Sequence, residues 1–156
     1  MASFVYNTAA KEIADGTIDL LNDTIKVMLV TSSYTANRDD DVVDAGGAND
    51  PVDHEIVATN YTGGWGGAGR KTLASPAITT DKTNDRAEFD ATDVTWTSLG
   101  GAQNATIAAA ILIKEGVAND TTSRLIAYHD LTDTPTNGGN ITIVWDAEGI
   151  IQFSTV

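Results

Sequence analysis

Two histidines adjoin aspartates and are the first candidates for chemistry. His54 follows Asp53, and His129 precedes Asp130. A histidine oriented by a carboxylate is the general base of a nucleophilic triad. Adjacent residues of a strand point to opposite faces, so neither pair can act as base and orienter on a strand. The sequence also lacks a GxSxG elbow. We therefore expect surface or half-buried histidines and predict no enzymatic activity.

An aspartate-rich stretch at 38–53 is the candidate cation site. Its acidic residues are Asp39, Asp40, Asp41, Asp44, Asp50 and Asp53. Ca²⁺ takes oxygen ligands from flexible loops, but the spacing does not match a DxDxDG loop with a closing glutamate. A solvated acidic loop is the expectation, and no metal or cofactor is predicted. Cation binding stays an open alternative, which thermal stability with and without EDTA would test.

A glycine-rich loop, Asn60–Arg70, carries two aromatic residues, Tyr61 and Trp65. It has neither the GxxxxGK[ST] nor the GxGxxG spacing of a nucleotide-binding loop. Its glycines more simply allow positive φ angles and close backbone approach. Trp65 either covers the core or anchors a partner. Because Trp96 and Trp145 alternate into the predicted core, Tyr61 and Trp65 are the candidates for stacking on a sugar.

The composition indicates one soluble domain, residues 1–156, long enough for a full hydrophobic core. Nine basic and 22 acidic residues give a formal net charge of −13. This charge argues against nucleic acid as a partner, because phosphate binding needs a basic patch. The chain has no cysteine, and no apolar run approaches the length of a membrane span. We predict no membrane partner.

Alternating apolar residues predict a mainly β fold, an antiparallel β-sandwich, possibly a jelly roll. Thr24–Thr31 and Thr106–Lys114 are apolar on both faces and are expected to be central strands. A hairpin of Lys71–Thr80 and Arg86–Thr97 is expected. The other predicted strands are His54–Ala58, Ser123–Leu131, and a closing hairpin of Asn140–Trp145 and Ile150–Ser154, with a turn at Thr132–Gly139.

Ala87–Leu99 is the stretch around which the sheets are expected to form. Ala87, Phe89 and Ala91 share one face, but the apolar parity changes before Val94 and Trp96. A one-residue slip would expose a whole face, so the change predicts a β-bulge at Ala91–Asp93.

The N-terminal segment 1–16 is predicted to form an arm and a short helix over Ser3–Asp15. Asn7 or Thr8 can cap this helix, and Gly16 can end it. The alternative is a partly mobile arm that orders against a neighbouring subunit.

A family signal lies in strand and turn residues. It is densest at Asn84–Thr97, which reads NDRAEFDATDVTWT. It continues through Leu21–Val30, Tyr34–Thr35, Asn60–Gly64, Lys71–Ala74, Asn140–Trp145 and Gly149–Ile150. In these segments the sequence resembles small virion structural proteins of tailed bacteriophages, such as capsid decoration (cement) proteins. These segments carry no catalytic signature.

The resemblance implies a non-enzymatic protein that binds the outer capsid surface and stabilises it by bridging major capsid protein subunits. It also implies a homotrimer, made in the host cytoplasm and located on the virion. Phe4, Val5 and Tyr6 stand in a row near the N-terminus, and we predict that they contact a neighbour or the capsid. Tyr61 and Trp65 complete the candidate interface. The alternative function is a head- or tail-borne module that binds host-surface carbohydrate through these two aromatic residues.

Overall fold

The computed structural model describes residues 2–154. It is mainly β, with 36% of residues in strands, one short N-terminal helix and antiparallel sheets packed together. The predicted fold class is therefore confirmed. The elements are β1 Phe4–Val5, α1 Asn7–Ala14, β2 Ile25–Val30, a 3₁₀-helix Pro51–His54, β3 Lys71–Thr72, β4 Ala77–Asp81, β5 Arg86–Asp90, β6 Val94–Trp96, β7 Thr106–Lys114, β8 Arg124–Pro135, β9 Ile141–Ile143 and β10 Ile151–Ser154.

The largest sheet has five strands in the order β1-β8-β7-β2-β3, and every pair is antiparallel. β7 lies at its centre, and residues 107–113 are all buried. β2 pairs with β7 from Ile25 opposite Lys114 to Val30 opposite Ala109. The prediction that these two strands are central is confirmed, because a strand that is apolar on both faces must be covered on both.

The stretch Ala87–Leu99 is two strands in two different sheets, so the predicted bulge is wrong. β5 belongs to a three-stranded sheet, β10-β5-β4, whereas β6 pairs with β9 in a two-stranded sheet. Between them, the Thr92 amide donates to the Ala74 carbonyl. The change of parity was a true signal of this break: Phe89 and Trp96 are both buried.

The N-terminal helix is shorter than predicted, because Phe4 and Val5 form β1 against Tyr128 and Ala127. Tyr6 occupies the N-cap position without a side-chain capping hydrogen bond. Asn7 therefore does not cap the helix; its side-chain amide donates to Asp39, and the Thr8 hydroxyl donates to Asp41. Gly16, at φ +78°, follows the helix as predicted.

Three other predictions about the elements are wrong. The expected strand at His54–Ala58 begins at the end of a 3₁₀-helix and makes only isolated bridges, from Glu55 to Val30 and from Ala58 to Tyr61. β8 runs on to Pro135, so the first half of the predicted turn at Thr132–Gly139 is strand. β9 and β10 do not pair with each other, because Ile150 donates to the Phe89 carbonyl and leads β10 onto β5. The predicted hairpin of Lys71–Thr80 and Arg86–Thr97 is confirmed only where β4 pairs with β5. Its two outer ends belong to other sheets, because β3 pairs with β2 and β6 pairs with β9.

Candidate interaction surface

Three loops meet at one end of the five-stranded sheet, which we call the Lys114 end. Lys114 is the last residue of β7 and lies opposite both Ile25, where β2 begins, and Arg124, where β8 begins. Loops 15–24 and 115–123 therefore start or finish here. Loop 62–70 reaches the same end, since the Trp65 indole donates to the Gly116 carbonyl over 2.7 Å.

A buried ion network, the Arg70 network, holds loop 62–70. The Arg70 side chain has no exposed surface. It binds Glu55 through Nε and Nη2 at 2.9 and 2.8 Å, and Asp120 through Nη1 and Nη2 at 2.7 and 2.9 Å. Burial alone would lower the pKa of Arg70, but the hydrogen bonds to these carboxylates raise it above its ordinary value. The guanidinium is thus bidentate to both acids, the strongest geometry for such pairs.

Glu55 also receives two neutral donors. The Tyr61 hydroxyl donates to Oε1 and the Gly64 amide to Oε2, each over 2.8 Å. Burial, and then the charge of Glu55, raise the pKa of Tyr61 well above its usual value. A Cβ on Gly63 would lie 2.9 Å from the Glu55 carboxyl carbon, so the loop backbone passes closer to Glu55 than a side chain would allow. The glycines serve close approach, as predicted.

A third carboxylate extends the network to the surface. Glu115 lies 3.8 Å from Nη1 of Arg70, binds Lys26 and accepts the Gly66 amide over 3.2 Å. Two cations, Arg70 and Lys26, thus face the three carboxylates of this network. The other donors to these carboxylates also come from the fold itself. This arrangement is suited to fixing a loop, because the buried acids Glu55 and Asp120 both accept hydrogen bonds from the Arg70 guanidinium and share its single positive charge.

Trp65 is the side chain that this network presents to solvent. It is 45% exposed, yet its indole nitrogen is held by Gly116. Val117, the next residue after Gly116, is 94% exposed. On loop 15–24, Leu21 is 45% exposed, and Lys114 holds that loop through the Thr17 carbonyl and Asp23. We call Trp65 and Val117, which the Trp65–Gly116 hydrogen bond brings together, the apolar tip.

The other candidate interface residues lie deeper. Tyr6 is fully buried, and its hydroxyl is 3.0 Å from that of Tyr34. Phe4 and Val5 are half-buried in β1, and Tyr61 is 6% exposed. The structure thus places only Trp65 of the five at an open surface. Phe4 stacks on Tyr128 instead, with ring centroids 5.4 Å apart.

Five aspartates of 38–53 accept hydrogen bonds: Asp40, Asp44 and Asp50 from nearby residues, and Asp39 and Asp41 from Asn7 and Thr8 of the N-terminal helix. Asp50 accepts the amides of Ala45 and Gly47 over 2.8 and 2.7 Å, and Asp40 accepts the Tyr34 hydroxyl over 3.3 Å. Within residues 2–154, no group of three or more His, Asp or Glu is placed to hold a metal ion. The side chains order a loop around the turn at 44–50.

Both histidines are half-buried, as predicted. Burial lowers the pKa of His129 to about 4, and its ring packs edge-on against Trp145 with centroids 5.4 Å apart. His54 lies 6.1 Å from Tyr34, ring centre to ring centre. Neither imidazole is held by an aspartate neighbour in the manner of a triad.

The comparisons with known proteins give no relative: no family model, no curated protein and no solved structure matches this chain. No helix among residues 2–154 is long and apolar enough to cross a membrane. The family resemblance of the strand and turn segments therefore stays a prediction.

Proposed function

We propose that this chain is a non-enzymatic structural protein of a tailed-phage virion, a capsid decoration protein. It binds the outer capsid surface and stabilises the shell by bridging major capsid protein subunits. The resemblance of its strand and turn segments supports the family. The rigidly held, exposed Trp65 beside Val117 supports a protein-binding role, and it is the observation that carries the proposal.

A tryptophan fixed by a buried network suits an interface because it loses little conformational freedom on binding. Energetically dominant interface residues are often tryptophans in desolvated positions. The buried charged side chains Arg70, Glu55 and Asp120 hold the loop that carries Trp65 from inside the fold. The net charge of −13 would draw this protein to a positively charged capsid surface. It would also make copies of the protein repel one another away from their binding sites.

The carbohydrate-binding alternative has a weaker basis in the structure. A sugar platform at this loop needs Tyr61 beside Trp65, but Tyr61 is buried and its hydroxyl is shared between Glu55 and the Leu29 amide. One exposed ring is left for stacking. If the wild-type protein binds a glycan but not the capsid, and Trp65→Ala loses the glycan binding, this alternative is favoured.

Co-sedimentation with capsids of the encoding phage, stripped of this protein, tests the proposal. Val117→Asp places a charge on the apolar tip, and Val144→Asp is the matched control, at a valine that is 71% exposed on the strand-β9 side. We expect Val117→Asp and Trp65→Ala to weaken binding about 30-fold, the loss of about 2 kcal/mol typical of an interface centre. Val144→Asp should bind within about twofold of wild type. Equal binding by all variants, or no binding by wild type, refutes the proposal.

A further inference from the structure

The outer edge of strand β4 is open, and we propose that two copies of this chain pair there, β4 against β4. β4 is an edge strand of the sheet β10-β5-β4 and pairs only with β5 among the described strands. Ala77, Ile78, Thr79 and Thr80 are all exposed. Pairing would join two three-stranded sheets into one sheet of six.

Apart from Pro76, which precedes β4, and Asp81, which ends it, this edge lacks the features that keep sheet edges apart. Natural edge strands are protected by brevity, inward charges, proline or bulges. β4 is the longest edge strand in residues 2–154, with five residues, whereas β1 and β3 have two each. No charge or proline interrupts Ala77–Thr80, and its pairing with β5 is regular. A strand of this kind offers its free N–H and C=O groups to another strand.

The sequence of β4 is complementary to itself in one antiparallel register. Centred on Thr79, this register sets Thr79 against Thr79 of the second copy, and Ile78 against Thr80. Threonine pairs and pairs of β-branched residues stabilise adjacent strands. The two Asp81 carboxylates face Ala77 of the other copy, at opposite ends of the ladder. In a chain of net charge −13, a self-complementary strand whose only charges lie at the two ends of the ladder is where two copies can approach.

The two faces of the small sheet favour the same pairing. Ile78 and Thr80 share a face with Ala87 and Phe153, because directly opposed residues point the same way. This face borders an open recess of about 480 Å³, which Thr80, Ala87 and Phe153 line together with charged residues of the β4–β5 turn. On the other face, Arg86 binds Glu88 at 2.8 Å and Glu148 at 3.1 Å. Pairing therefore joins the partly exposed apolar faces of two copies and leaves the charged faces in water.

The β4 pairing does not depend on capsid binding, because it uses a strand of a different sheet from those that form the Lys114 end. It predicts a two-fold contact, in which the same strand serves both copies. The family resemblance implies a trimer instead, so the mass in solution distinguishes the two.

Cross-linking tests the pairing sharply, because the chain has no cysteine of its own. Directly opposed residues of antiparallel strands have Cα atoms about 4.5–5.5 Å apart, within disulfide range. Thr79→Cys should form a covalent dimer rapidly under mild oxidation. Thr97→Cys, at an exposed threonine outside β4, should remain largely uncross-linked. Equal cross-linking of the two variants overturns the proposal.

Light scattering after size exclusion supplies the independent measurement. Wild type should show about twice the chain mass of 16.4 kDa. Thr79→Lys sets two ammonium groups against each other and should raise the dissociation constant at least about tenfold. Thr97→Lys carries the same added charge and should leave the mass unchanged, with circular dichroism confirming that both are folded. A wild-type monomer or trimer, or a dimer that persists in Thr79→Lys, overturns the pairing.

Discussion

Replacing Arg70 with methionine is the sharpest perturbation of the network beneath the apolar tip. Methionine preserves much of the side-chain volume but leaves Glu55 and Asp120 buried without a cation. Removing one partner of a buried ion pair costs about 3–5 kcal/mol. Arg70 makes four hydrogen bonds to the two acids, so we expect the upper half of that range, about 4 kcal/mol.

Urea denaturation followed by tryptophan fluorescence measures this loss. With a slope of about 2 kcal/mol per molar urea, a destabilisation of about 4 kcal/mol lowers the midpoint by about 2 M. The triple variant Arg70→Met, Glu55→Gln, Asp120→Asn removes the stranded charges and should recover at least half of the loss. Lys11→Met breaks only the exposed pair with Asp15 and should leave the midpoint unchanged.

A midpoint that falls by less than about 0.5 M in Arg70→Met would refute this reasoning, since it corresponds to about 1 kcal/mol. The reasoning would also be refuted if the triple variant is no more stable than the single one. In either case the network would not be what fixes loop 62–70.

Two further predictions concern single positions. Gly63→Ala forces a Cβ against the fixed Glu55 carboxylate and should cost about 1–3 kcal/mol in urea denaturation; Gly139→Ala, which meets only a movable Asn137 side chain, should be nearly neutral, and equal effects would contradict the steric argument. The folded pKa of His129 is about 4 against an unfolded 6.5, so its contribution is fully present above pH 6.5 and is lost as pH falls towards 4, by up to about 1.4 kcal/mol per pH unit. His129→Gln should flatten the stability slope in that window, and an unchanged slope would show that burial does not depress this pKa.

The periodic part of the fold could be predicted from the sequence. Strands β2 and β7 were recognisable because apolar residues fill both faces over an uninterrupted run. The change of parity near Thr92 was also visible. Its cause was not, because a bulge and a change of sheet leave the same local pattern; the choice is made by distant groups, such as the Ala74 carbonyl that accepts the Thr92 amide.

The Arg70 network could not be found from spacing. Glu55, Arg70 and Asp120 lie 15 and 50 residues apart, and each resembles an ordinary surface charge in its local sequence. Trp65 was recognisable as an aromatic residue among glycines, but whether it covered the core or faced solvent depends on Gly116, which the topology brings to it. Val117 and Leu21 carried no local signal, because isolated exposed aliphatic residues are common.

If this chain is a capsid decoration protein, as we propose, cryo-electron microscopy of virions of the phage that encodes it will show it on the shell. We expect density for this fold on the outer capsid, with the Lys114 end against the shell and Trp65 and Val117 buried between capsid subunits. Density for this fold in the tail, or on the capsid with the Lys114 end facing solvent, would contradict it.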